Sequence, residues 1–261
     1  MTSQSFPGRG PRWASAPALA FLVVIVGGPL ILIFLYSWLS RARFGVGISW
    51  TISTDGYRKV FIEDALDGTT RLNAQYLRII GNSLLLAAIT TVATLVVAIP
   101  MSIWMATRAA RFRSLLVLAV TIPFWTNTLV RTYAWMLILR DNGIVNNRLV
   151  GWGIFDQPVK LLYTNTSTLI GLVYTFLPFM VLPIYSSAER FDFRLAEAAV
   201  DLGARKRQVV ARVIWPNLRS GVIAGVALVL VPATGAFLQP ELLGGGKSLM
   251  IGNLIQQQFA A

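Results

Sequence analysis

Few residues in this chain are equipped for chemistry. Its 261 residues include no histidine and no cysteine, which removes thiol nucleophiles, Cys/His zinc sites, disulfide frameworks and any mechanism that needs an imidazole base. Among the 11 acidic residues, Asp55, Glu63, Asp64 and Asp67 are scattered along one polar stretch without catalytic pairing and read as solvated surface. Gly244-Gly245-Gly246-Lys247-Ser248 ends like a phosphate-binding loop, but the first glycine of that motif falls on Glu241 and no strand precedes it, so it reads as a flexible outer loop. Asn165-Thr166-Ser167 matches the glycosylation pattern, a three-residue match that is common by chance. One charged residue, Arg131, lies inside an apolar stretch, where insertion scales put a charge at about 2.5–3.5 kcal/mol at mid-depth. Two readings of it stay open. It snorkels to an interface with Tyr133 and Trp135 as belt residues, or it orders an outer gate or an external docking contact. Trp125, Tyr133, Tyr174, Phe176 and Phe237 offer aromatic faces, each worth about 0.5–2 kcal/mol to a cation.

The elements that would hold these residues are membrane helices. Hydrophobic residues make up 55% of the chain and charged ones 13%, a balance outside the soluble range. A spanning helix needs about 20 predominantly apolar residues, because lipid leaves every backbone group to be paired internally. Five stretches meet that requirement: Ala16–Leu39, Ile79–Ala106, Ser114–Leu139, Thr166–Tyr185 and Gly221–Leu238. The first is too long for a signal peptide and lacks a small-residue cleavage site after it, so it reads as retained. Pro123, Pro178 and Pro232 each delete a helix hydrogen bond and mark kinks or hinges. Gly221 and Gly225 form a small-xxx-small pair suited to close helix packing. An amphipathic piece is expected around Tyr57–Phe61.

The net charge of +12 does not indicate nucleic acid, because the basic residues lie between apolar blocks rather than on one soluble face. They set orientation instead. Segments 1–13, 107–113 and 187–219 hold twelve Lys and Arg in 53 residues, including Arg9, Arg12, Arg108, Arg111 and Arg113, against ten in the longer segments 40–78, 140–165 and 239–261. The denser side is expected to be cytoplasmic, with the N-terminus inside and, after five crossings, the C-terminus outside.

The segment 187–219 is long for a connection between membrane helices. Arg194 to Ala204 are good helix formers, Gly203 interrupts them, and Lys206–Ile214 resumes with apolar Val209, Val210, Val213 and Ile214. Two short helices turning at Gly203 are expected, with Pro216 at the start of the next membrane helix. Without a partner, such a segment would be an amphipathic helix on anionic lipid, held by Arg205, Lys206 and Arg207.

The run Glu197-Ala198-Ala199-(3)-Gly203-(9)-Val213-Ile214-Trp215-Pro216 resembles the EAA loop of type I ABC importer permeases, with Val213 and Trp215 in place of isoleucine and leucine. Asn82-Ser83-Leu84, Leu129-Val130-Arg131-Thr132-Tyr133-Ala134-Trp135, Pro240-Glu241-Leu242-Leu243-Gly244-Gly245 and Leu249-Met250-Ile251-Gly252 resemble the polyamine (spermidine/putrescine) branch. The resemblance implies an all-α integral membrane protein, a MetI-like permease bundle, as a single domain over 1–261 with its coupling segment at 187–219. A sixth membrane helix is usual in the family, and this chain, stopping at Ala261, would lack it. Polyamine permeases also commonly place an acid after the glycine of the fifth helix, where this chain has Gly235-Ala236-Phe237.

By that resemblance the chain is a non-enzymatic permease subunit of a bacterial inner membrane importer. ATP and Mg would bind a partner ATPase, and no cofactor this chain. Its implied partners are two ATP-binding subunits, a second permease, an external solute-binding protein and lipid. Ala198 and Ala199 would permit close docking of the ATPase, Glu197 would anchor it, and Gly203 would set the angle between the loop helices. Arg131 is then a poor direct ligand for a cationic cargo, which would rely on the aromatic faces. An ion-gradient-driven secondary transporter is the alternative, disfavoured by the lack of intramembrane acids and of internal repeats. An inactive permease fragment is the other.

Overall fold

The computed structural model describes residues 16–41, 48–64, 70–246 and 248–260. Arg9, Arg12, Arg43, Asp67 and Lys247 lie outside them. The chain divides into two units, Met1–Leu77 and Arg78–Ala261.

The first unit opens with α1 (Ala16–Leu22) and α2 (Gly28–Ser37), joined by a π-helical turn at Val23–Gly27. Leu19–Ser37 is apolar and long enough to span, and Phe21, Val24, Leu30, Ile33 and Phe34 are all exposed, as a lipid-facing helix requires. The polar stretch after it is more structured than sequence suggests. It contains β1 (Leu39–Arg41) antiparallel to β2 (Ile48–Ile52), α3 (Asp55–Phe61), and β3 (Ile62–Asp64) antiparallel to β4 (Thr70–Leu72). The expected amphipathic piece at Tyr57–Phe61 falls in α3, and the Tyr57 hydroxyl donates to Ser37 Oγ at 2.7 Å.

The second unit is a helical bundle: α4 (Ala74–Ala106, which starts in the first unit), α5 (Ala110–Trp125), α6 (Thr128–Leu139), α7 (Ile144–Gly151), α8 (Asn165–Glu189), α9 (Arg194–Asp201), α10 (Lys206–Val209), α11 (Trp215–Thr234), α12 (Leu238–Gly244) and α13 (Ile251–Ala260). The 33 residues of α4 extend about 50 Å at the α-helical rise, enough to cross a hydrocarbon core of about 30 Å. Its buried positions, Ser83, Leu86, Ala87, Thr90, Thr94, Ala98, Ser102 and Met105, recur at spacings of three and four and form one stripe. The hydroxyls on that stripe are mostly paired: Ser83 and Thr94 donate to carbonyls four residues back at 2.8 and 2.9 Å, and Ser102 Oγ donates to Val181 O of α8 at 3.1 Å.

Helix α8 is the hub, packing against α5, α6, α11 and α12. Its first turn is closed by Thr164 and Ser167, each side-chain oxygen accepting the other's backbone N–H at 3.2 Å, an arrangement worth about 1 kcal/mol. Leu172, Met180, Val181 and Ile184 on α8 and Val229 on α11 have no exposure at all. Gly221 and Gly225 bear out the small-pair reading: a Cβ at Gly221 would meet Pro183 O at 2.5 Å and one at Gly225 would meet Met180 Sδ at 2.8 Å.

One expected element is corrected. Ser114–Leu139 is not one straight span, because α5 and the Thr128–Gly151 stretch meet at 92°. The reason is local. Thr126 Oγ1 folds back to donate to Pro123 O at 2.7 Å, stopping α5, and Asn127 Oδ1 accepts from Leu129 N at 2.8 Å, starting α6. Pro216 falls where expected, in the first turn of α11. What sequence does not show is that α10 continues into it: Lys206–Thr234 is helical throughout, with a π-helical turn at Val210–Ile214 just ahead of Trp215 and the proline, a local rewinding of the kind found beside a missing N–H.

Candidate functional site

The residues of the EAA-like run occupy one end of the bundle. At the end of α8, Asp192 Oδ1 accepts from Arg194 N at 3.0 Å and opens α9, while Phe191 is buried and stacks edge-on with Phe193 at 5.0 Å. Glu197 and Ala198 are exposed and Ala199 half-buried on α9. Around them Leu195, Val200 and Leu202 are also exposed, Leu202 at 89%. Leu195 and Val200 on α9, with Leu202 just past its end, leave apolar surface uncovered. Gly203 has φ +84°, a conformation that only glycine adopts freely, and its N–H donates to Val200 O at 2.8 Å. Arg205 N donates to Gln208 Oε1 at 2.9 Å, which caps α10. From there the chain runs unbroken through the exposed Pro216 into α11.

This end is braced by contacts that sequence reasoning missed. Tyr185 donates to Glu189 Oε1 at 2.8 Å, and Arg113 Nη1 of α5 lies 3.8 Å from the same oxygen. Ser187, Arg190, Phe191, Asn217 and Ser220 line a small polar recess between the end of α8 and the start of α11. Glu189 and Arg113 are 76 residues apart, a pairing that no local spacing reveals.

The polyamine-branch motifs converge at the opposite end. Asn82 Nδ2 donates to Leu249 O at 2.9 Å, and Ile251 N donates to Ser83 Oγ at 2.8 Å, so two motifs over 160 residues apart are one contact. Asn253 Nδ2 donates to Phe237 O at 2.8 Å and to Glu241 Oε2 at 3.3 Å. Ser167 Oγ and Tyr163 N both donate to Leu243 O at 2.8 Å. The glycine run after α12 is therefore a packed turn and not a loose loop: Gly245 adopts φ +57° against the Tyr163 ring, and the Ser248 hydroxyl donates to Asn165 Oδ1. Asn165-Thr166-Ser167 serves helix capping.

The pathway candidates do not gather into one site. Arg131 is buried at 8% exposure, folded back rather than extended outwards. Tyr174 lies beneath its guanidinium, 5.7 Å from Cζ, and stacks edge-on with Trp135 at 5.5 Å. Phe176 belongs to the core against Phe179. Trp125, Tyr133 and Phe237 are exposed and meet neither. Among the described residues no cluster of three or more His, Cys, Asp or Glu comes together to hold a metal ion.

Among the described residues, four helices are long and apolar enough to cross a membrane, or five if the bent pair is one span, with an outward-facing helical segment between two of them. Residues 98–261 match the family described as binding-protein-dependent transport system inner membrane component. The spermidine/putrescine transport system permease protein PotB of Escherichia coli is 40% identical over 239 residues, covering 91% of this chain and 85% of that one. PotB of Haemophilus influenzae is 39% identical, with 92% and 79% covered. The inner membrane ABC transporter permease protein YdcU of E. coli is 32% identical, with 70% and 62% covered. In fold, the chain is similar to a bacterial alginate ABC transporter solved in complex with an alginate pentasaccharide-bound periplasmic protein, with TM-score 0.65 at 17% identity, covering 94% of this chain and 82% of that one. This chain belongs to the binding-protein-dependent transport inner-membrane component family and is the membrane permease component of an ABC importer.

Proposed function

We propose that the chain forms half of the pathway of an importer for polyamines, with its N-terminus in the cytoplasm, and that the segment 187–219 couples it to a separate ATP-hydrolysing subunit. The observation that carries the coupling reading is the outward-facing α9, with Leu195, Val200 and Leu202 exposed beside Glu197 and Ala198. Exposed large apolar side chains gathered at one end of a bundle mark a surface for a partner. Because α10 runs unbroken into α11, a push on α9 transmitted through the Gly203 turn arrives as rotation of α11 against α8. A second permease would complete the pathway and a solute-binding protein would deliver cargo from outside. The permease does no hydrolysis; ATP and Mg act on the partner.

A single cysteine in this cysteine-free chain tests the coupling. With Ala199→Cys in native membranes, thiol crosslinking is expected to capture an ATP-binding subunit. A reactive thiol at that position that captures nothing overturns the docking reading and leaves the segment to lipid.

Polyamine cargo is supported by the high identity to permeases named for spermidine and putrescine over most of the chain. Labelled spermidine uptake in cells is expected to be saturable, to be competed by unlabelled putrescine, and to collapse when ATP is depleted while the membrane potential persists. Uptake that is the same in cells lacking the permease rejects polyamine as the cargo.

A further inference from the structure

We propose that Arg131 is a positioning residue, a latch that fixes the bend between α5 and α6 and holds it against α8, and that transport requires the latch to reset in each cycle. The proposal rests on the importer reading and adds a moving part to it.

One side chain here touches three helices. Nη1 donates to Pro123 O of α5 at 2.7 Å, Nη2 donates to Thr128 Oγ1 of α6 at 3.2 Å, and the guanidinium lies over the Tyr174 ring of α8 at 5.7 Å. The contact with α5 falls at its C-terminal end, where unpaired carbonyls concentrate negative partial charge and a cation is favoured. Pro123 O also receives the Thr126 hydroxyl at 2.7 Å and the Thr126 N–H at 3.4 Å, so this one carbonyl gathers the donors at the break. The planar fork of arginine suits such a span, whereas a lysine ammonium is a point donor without fixed geometry.

The latch is incomplete. Arg131 is 92% buried, yet its Nε has no hydrogen-bond partner, and no carboxylate among the described residues pairs with it. A buried donor left unmade is a cost that a purely structural residue would be expected to avoid. On the hub helix it meets the ring face of Tyr174, an attraction that weakens smoothly as α8 slides. The bond to Pro123 O crosses the break and the bond to Thr128 Oγ1 anchors the side chain within α6; both are directional and either made or broken. This combination suits a two-position element, fixed across α5 and α6 and releasable from α8.

The test uses the whole transporter in its native membranes. Arg131→Gln and Arg131→Lys are expected to lower the maximal uptake rate about tenfold or more, while half-saturation changes less than about twofold, as for a step made only during turnover. Tyr174→Phe keeps the ring and is expected to retain uptake; Tyr174→Leu is expected to lose it. Trp125→Cys, beside the break, reports the motion through labelling by an impermeant maleimide. Its rate is expected to differ about fivefold between nucleotide-free and ATP-vanadate-trapped membranes, a typical coupling factor, and Arg131→Gln is expected to erase that difference. Wild-type maximal rate in Arg131→Gln overturns the latch. So does a loss matched by lower membrane abundance with the labelling difference intact, or a change confined to half-saturation, which would make Arg131 a delivery contact. The Ala199→Cys crosslink in the same membranes separates the two readings: capture of the ATPase with uptake lost places the defect at the latch and leaves the coupling intact.

Discussion

Gly203→Pro is expected to reduce uptake to background while the protein still inserts at normal abundance. At φ +84° the residue sits in a region closed to proline, whose ring holds φ near −65°. Proline also removes the N–H that donates to Val200 O at 2.8 Å. The turn would have to refold, and α9 would point elsewhere relative to α10. No side chain lies within 4 Å of where a Cβ would project, so Gly203→Ala meets no steric obstruction and carries only the left-handed backbone cost of about 1–2 kcal/mol. It is expected to keep part of the activity. Uptake in membranes, normalised to the amount of inserted protein and ordered wild type, Gly203→Ala, Gly203→Pro, checks this. Equal uptake in all three removes the turn from the coupling path. Glu197→Ala belongs to the same experiment. Glu197 is exposed, so its loss is expected to abolish uptake through the docking surface with stability unchanged, exposed side chains contributing little to folding.

The contrast between those two substitutions shows what sequence makes legible. Gly203 was readable as a turn because a lone glycine between two helix-forming runs has few other uses, and the left-handed backbone bears that out. The Gly221 and Gly225 pair was readable for a similar reason, since small residues four apart on an apolar helix leave room for a neighbour. Local chemistry with a fixed period survives in one dimension. The bend after Trp125 survived only in part: Pro123 marks a kink, but hydropathy averages over Ser114–Leu139 and hides a turn of 92° set by Thr126 and Asn127. Arg131 was conspicuous by its charge, but its partners were not. Pro123 O is a backbone atom, and Tyr174 is 43 positions away on another helix. The same limit hid the pairing of Asn82 and Ser83 with Leu249 and Ile251. Each half was visible as a motif, and only the fold shows that the two motifs are one joint.

That joint and the segment proposed for coupling lie at opposite ends of the α8–α11 pair, so anything passed between them must cross the interface those helices share. The interface is unusually close at the α9 end. A Cβ at Gly221 would meet Pro183 O at 2.5 Å, Ser187 Oγ at 2.6 Å and Ile184 Cα at 3.0 Å. Two of those three atoms are backbone and have no rotamer through which to move aside. Pro183 lies inside α8, so the carbonyl in question belongs to a turn already short of one hydrogen bond.

Gly221→Val is therefore expected to disrupt the bundle. A branched side chain there must push α11 off α8 over the stretch where Ile184, Ala188, Leu218 and Val222 are buried. Overpacking of this kind costs about 1–3 kcal/mol when side chains can adjust, and backbone obstruction puts this case at the upper end or beyond. The expected result is a large fall in membrane abundance and in resistance to proteolysis, with uptake lost in proportion. Gly225→Ala is the milder companion, because its nearest neighbour is the Sδ of Met180 at 2.8 Å, the flexible end of an adaptable side chain. It is expected to insert nearly as well as wild type. Measuring abundance and uptake together distinguishes this failure from that of Gly203→Pro, in which abundance is kept and only uptake is lost. Normal abundance of Gly221→Val would mean that the two helices separate at little cost. The α8–α11 contact would then be a sliding surface and not the rigid link through which α9 drives the pathway.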